Sequence, residues 1–136
     1  MTAGLVLMTI AILQFTVIPL FADLNRSHAA NAAWPGHARS HLVTQVLTTS
    51  SLGVLALYFL RSGRFAPDLR VCLAMLCALT ALAPFFISTL ATPLFGGQIT
   101  PPRTGLGRVR FARIEGNVAN FSVSLVLLIS GRLMLL

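Results

Sequence analysis

The sequence predicts an all-α polytopic membrane protein, a single domain over residues 1–136 folded as a four-transmembrane-helix bundle, and three observations carry that prediction. Hydrophobic residues make up 56% of the chain and charged residues only 10%, with a mean hydropathy of +0.85, far from the balance of a water-soluble domain. The apolar residues gather into four stretches of about 20 residues or more, the length that crosses a hydrocarbon core about 30 Å thick at about 1.5 Å per residue. Most of the arginines fall between or just beside those stretches.

The first span is expected over residues 3–22, which carry no charge. It has no basic segment ahead of it and exceeds the apolar core of a signal peptide, so it is expected to be retained. Pro19 is expected to kink or end it. The second span is expected over 36–60, because Pro35 suits the start of a helix ahead of the apolar run. A short turn from Arg61 to Asp68, punctuated by Gly63 and Pro67, leads to a third span over 69–91, in which Pro84 should bend the helix. The fourth span is expected over 114–136, polar at its entrance and apolar at its exit.

All ten basic residues are arginine, against three acids, Asp23, Asp68 and Glu115, for a net charge of +7. On a soluble domain that excess would suggest nucleic acid; beside apolar spans, arginine instead sets orientation and meets anionic headgroups, so membrane lipids and not nucleic acid are the expected partners. Arg26, Arg39, Arg103, Arg108, Arg110 and Arg113 fall on the side of the first and third loops, against Arg61, Arg64, Arg70 and Arg132 on the other. This asymmetry predicts a cytoplasmic face for the first and third loops. Cys72 and Cys77 would point about 140° apart on a helix and cannot pair with each other.

Alternation of four spans places the first loop and the start of the fourth helix at one membrane face. That face holds most of the chemistry. Residues 23–41 contain all three histidines, His28, His37 and His41, and the single tryptophan, together with Asp23, Asn25, Asn31 and Arg39. His37, His41, Thr44, Gln45 and Thr48 recur at helical spacing along the second span. On the fourth helix, Asn117, Asn120 and Ser124 fall within about 60° of one another, while Glu115 and Ser122 share a different face. Polar groups at span entrances usually face a bundle or a wet cavity, so these residues are expected to converge on one pocket. The plainer reading is interfacial: arginines and histidines among headgroups, with Trp34 as an anchor. Thr9, Thr16, Ser50 and Thr80 are expected to bond helix backbone.

The run Asp23, Asn25, His28, Asn31, Trp34, Pro35, His37, Ala38, Arg39, His41 and Gln45 resembles a signature of small four-span membrane proteins of uncharacterised function. Glu115 and Asn117 are similar to an acid-x-Asn element of their last helix, with glutamate where aspartate is usual. In architecture and residue types alone, the chain is similar to the sterol isomerase and sigma-2 receptor superfamily, whose members use His, acid, Asn and Trp side chains in a membrane pocket. The resemblance implies four helices and a functional face, and no particular reaction.

Three chemistries suit these groups. The first is acid–base catalysis on a lipophilic small molecule, of isomerase or cyclase type, needing no cofactor. Histidine as a residue type titrates near neutrality, and a pocket of low dielectric tunes it further. His37, His41 and His28 would carry protons, Asp23 or Glu115 would orient charge, and Asn25, Asn31, Arg39, Gln45, Asn117 and Asn120 would bind substrate. Trp34 would offer a π face to a developing cation. The second is a mononuclear metal site, with Zn, Fe or Cu held by His28, His37 and His41 with Asp23 or Glu115, in an oxidoreductase or hydrolase. The third is a carrier, receptor or accessory subunit for a lipophilic ligand, or a homo-oligomer. The chain has no phosphate-binding Gly-rich loop, dinucleotide fingerprint, paired-Cys metal motif or Gly-x-Ser-x-Gly elbow.

Overall fold

The computed structural model describes residues 2–97, 110–111 and 114–136, with backbone alone at 110–111 and 114–115. Four helices account for nearly all of it: α1 (Ala3–Asp23), α2 (Gly36–Arg61), α3 (Pro67–Phe95) and α4 (Gly116–Leu133). Each is long and apolar enough to cross a membrane. A two-residue antiparallel pair, β1 (Arg110–Phe111) and β2 (Ile114–Glu115), sets Arg110 opposite Glu115 just ahead of α4.

The helix limits follow local chemistry. α1 does not end at Pro19 but continues to Asp23, since a proline inside a helix removes only the one bond its nitrogen would have donated. α3 begins at Pro67, two residues ahead of the expected start, because proline needs no donor at the first helical position and Asp68 favours the positive helix end. It runs through Pro84 and Pro93 and stops at Gly96, whose φ of 65° is the left-handed conformation that closes many helices. α4 starts at Gly116 and not at 114, because Ile114 and Glu115 are paired in β2. Glu115 therefore precedes the helix and does not share a helical face with Ser122.

α1 lies between α4 and α2, α2 packs in turn on α3, and α3 touches α4 only lightly. The light seam is bridged by Phe85 and Phe121, stacked nearly parallel at 4.3 Å. Met8, Ala11, Ile12 and Phe15 of α1 are fully buried and meet Ala56, Leu60, Ala74, Ala78, Leu82 and Leu128. In lipid, helices gain little by hiding apolar surface from an equally apolar solvent, so close backbone approach and interhelical hydrogen bonds have to hold them together.

Both devices are present. A side chain at Gly4 would come within 2.6 Å of the Gly131 carbonyl, so these two glycines let α1 and α4 touch. At Gly53 a Cβ would overlap Thr16, which fills the notch that α2 leaves for α1. One turn away, Ser50 Oγ donates to the Thr16 carbonyl at 2.8 Å, a buried bond from α2 to α1. Thr9, Thr16 and Thr80 bond the carbonyl four residues earlier in their own helices as expected, whereas Ser50 bonds backbone of a different helix. Such interhelical bonds contribute on the order of 0.6 kcal/mol, and at most about 2.

Gly4 meets Gly131 while Gln14, ten residues on, meets Asn120, so α1 runs antiparallel to α4. The first loop and the start of α4 therefore share one end of the bundle, where the candidate site lies.

The notch yields a direct test. Gly53→Ala should destabilise the bundle in detergent by about 1–3 kcal/mol through overpacking, and Thr16→Ala in the same chain should restore much of the loss. Thermal unfolding of the single and double variants checks this; additive losses would contradict the notch.

Candidate functional site

The loop between α1 and α2 is built by two asparagines. The Asn25 amide nitrogen donates to the Phe21 and Ala22 carbonyls, at 3.0 and 2.7 Å, covering carbonyls that the end of α1 leaves unpaired. Its oxygen accepts from the Ser27 amide at 2.8 Å and from the Ser27 hydroxyl at 2.6 Å. Asn31 repeats the device, donating to the Ser27 carbonyl at 3.0 Å and accepting from the Ala33 amide at 2.9 Å. Asn25 spends its hydrogen bonds on the end of α1 and on Ser27, and Asn31 spends its own on the loop.

This network fixes a histidine tautomer. Ser27 has one hydroxyl proton and gives it to Asn25, so the contact of 2.8 Å between Ser27 Oγ and His28 Nδ1 requires the ring nitrogen to donate. A neutral His28 then keeps the lone pair on Nε2. Trp34 packs edge-on against this ring at 5.6 Å between centroids. The half-buried Asp23 carboxylate lies within electrostatic reach of it.

His37 and His41 form a second unit on the first turns of α2. Their Nε2 atoms lie 2.9 Å apart, with the rings nearly perpendicular and centroids 4.3 Å apart. Two neutral rings make this bond only as opposite tautomers, one donating from Nε2 and the other accepting there. Both side chains are exposed.

An open cavity of about 680 Å³ lies beside these turns, lined by Ala29, Gly36, Arg39, Ser40, Val43 and Thr44. The Arg39 Nε is buried and finds no hydrogen-bond partner among the described residues, and Arg39 also lines this cavity.

A third polar unit sits deeper, between α1 and α4. Gln14 Nε2 donates to the Asn120 side-chain oxygen at 3.0 Å and to its carbonyl at 3.1 Å, and Ser124 Oγ donates to the same carbonyl at 2.9 Å. The Asn120 side-chain nitrogen is buried without a partner among the described residues. The expected shared face of Asn120 and Ser124 is present, while Asn117, three residues nearer the helix start, is exposed.

The predicted residues thus group in three places. Asn25, His28, Asn31, Trp34 and Asp23 belong to the loop; His37 and His41 pair on the outside of α2, with Gln45 exposed on the same helix; Arg39 lines the cavity. Asn120 joins the clasp within the bundle. The Glu115 side chain, and hence any contact with the histidines, lies outside the described residues. Among the described residues, no three of His, Cys, Asp and Glu gather as a metal-holding group. Sequence reasoning missed Gln14, although a lone amide within an uncharged span is a signal, because a buried amide in lipid has to find a partner. It also missed Ser27, whose importance comes from the single proton it can give.

No protein family, no curated protein and no solved structure matches this chain.

Proposed function

We propose that this protein is a membrane-embedded enzyme that moves protons on a lipophilic small molecule, in an isomerisation or cyclisation, with its site at the end of the bundle holding the first loop. The observation that carries the reading is the His37–His41 pair, a hydrogen bond between two imidazoles at Nε2. Such a pair is a proton relay. One ring accepts a substrate proton at Nδ1 and passes its Nε2 proton to the second ring, which releases its own Nδ1 proton to another position on the substrate. No proton is gained or lost, and the two rings finish with their tautomers exchanged.

The cavity lined by Arg39, Ser40 and Thr44 beside the first turns of α2 supports a lipophile entering with its polar end toward Arg39. In this reading Trp34 stabilises a developing positive charge. His28, with a free Nε2 and Asp23 nearby, acts as a further base. Gln45, Asn117 and, through β2, Glu115 supply polar groups at the same end, while Asn25 and Asn31 hold the loop in shape. The arginine count favours a cytoplasmic position for this end.

A second reading has one observation in its favour: two Nε2 atoms converging on one point are also how two ligands of a single Zn, Fe or Cu ion are disposed. His28 with Asp23 or Glu115 would complete the set.

For the relay, purified protein in bilayers is incubated with a total lipid extract, and the products are compared by mass spectrometry. His41→Ala should fold normally, because the side chain is exposed, and should lose the wild-type conversion by at least the roughly hundredfold typical of a lost acid–base group. A species bound and returned unchanged would point to a carrier, and equal conversion by the variant would refute the relay. The metal reading predicts near-stoichiometric metal in purified protein, lost in His37→Ala/His41→Ala; equal metal in both proteins contradicts it.

A further inference from the structure

Lipid-facing surface is normally apolar, and three of the four helices obey: Ile10, Leu13 and Val17 on α1, Leu76 on α3, and Val123 and Val126 on α4 all point outward. The second helix obeys only in part, with Leu47, Val54, Leu55 and Tyr58. Opposite its buried residues, α2 exposes His37, His41, Thr44, Thr48 and Ser51, at successive spacings of 4, 3, 4 and 3 residues. An average spacing of about 3.5 is that of a seam along which one helix wraps another.

Several hydroxyls within the spans need no partner outside their own helix. Thr9, Thr16, Thr80 and Thr92 return their protons to the carbonyl four residues earlier, which satisfies them without any outside partner. Among the described residues, Thr44, Thr48 and Ser51 have no hydrogen-bond partner for their hydroxyls. An unpartnered hydroxyl facing hydrocarbon is costly, and a polar helix laid against it removes that cost.

We propose that this stripe is the interface of a homodimer, in which α2 of a second copy lies parallel to the first and brings the two imidazole pairs face to face. Copies inserted with the same topology are related by a two-fold axis along the membrane normal, which sets each stripe residue near its own counterpart at the same depth. Like-with-like contact suits only groups that both donate and accept. Threonine and serine hydroxyls and neutral imidazole all do so, whereas a charged stripe would repel its copy. The two arginines of α2, Arg39 and Arg61, point off this stripe by more than about 100°. The short side chains at 44, 48 and 51 also permit close backbone approach.

The dimer closes the histidines off from lipid with groups that a single chain does not supply. Thr44 lies both on the stripe and on the cavity wall, so the partner helix would also border the cavity. The inference rests on the packing of α2 and not on the reaction.

The test counts subunits in wild-type protein. Fluorescently labelled chains in phosphatidylcholine vesicles should bleach predominantly in two steps at dilution, and Thr44→Leu/Thr48→Leu/Ser51→Leu should shift them to one. In native membranes, Thr48→Cys in a background of Cys72→Ala/Cys77→Ala should give several-fold more self-crosslink with a short bismaleimide than Leu76→Cys on the outer face of α3. Single-step bleaching of wild-type protein overturns the proposal, as does crosslinking of Thr48→Cys to a different protein in place of a second copy. Bleaching of the unaltered chain needs neither cysteine variant nor any activity, so it decides the matter even if a variant misfolds or the relay proves wrong.

Discussion

A hydrocarbon layer cannot answer a hydrogen bond, and the polar ties that hold these helices together follow from that fact. Many of the hydroxyls and amides within the spans bond their own helix, as Thr9 and Thr80 do, or tie two helices together. Ser50 ties α2 to α1 through the Thr16 carbonyl, and Gln14 ties α1 to α4 through Asn120. Both ties converge on α1, which lies between α4 and α2. Glycines at 4, 53 and 131 bring the backbones close enough for them to form.

The same accounting governs the end of the bundle where the site lies. The last carbonyls of α1 are met by Asn25, which commits the Ser27 proton and so determines which nitrogen of His28 carries hydrogen. A loop of small and polar residues thereby delivers a histidine in one tautomer, its rim packed by Trp34. On α2, no such chain of donors reaches His37 and His41, and the two rings satisfy each other. When both rings are neutral, these two histidines one helical turn apart form a single unit with one proton between their Nε2 atoms.

Much of this was legible in the sequence, because the signals were local. Four apolar stretches gave four helices with limits close to those observed, and the spacing of His37 and His41 placed them on one helical face. Less legible were features that depend on which way a helix turns within the bundle. Periodicity showed a polar stripe on α2, but the expectation of an inward-facing pocket placed it toward the core, whereas Gly53 and Ser50 turn the opposite face to α1. Asn25 and Asn31 look like ligands in a motif, yet their hydrogen bonds are spent on the end of α1 and the loop, which the sequence does not show. Glu115 looked like the first turn of α4 until β2 claimed it. Gln14 was passed over because one amide hardly alters the apolarity of its span.

In the neutral pair, the imidazoles of His37 and His41 hold a single proton between their Nε2 atoms. Solid-state 15N spectra of histidine-labelled protein in bilayers test it directly, with His28→Ala used to assign the remaining rings. One Nε2 is expected to be protonated and the other bare in the neutral pair, correlated across their hydrogen bond. Two protonated Nε2 atoms, or two bare ones, would contradict it.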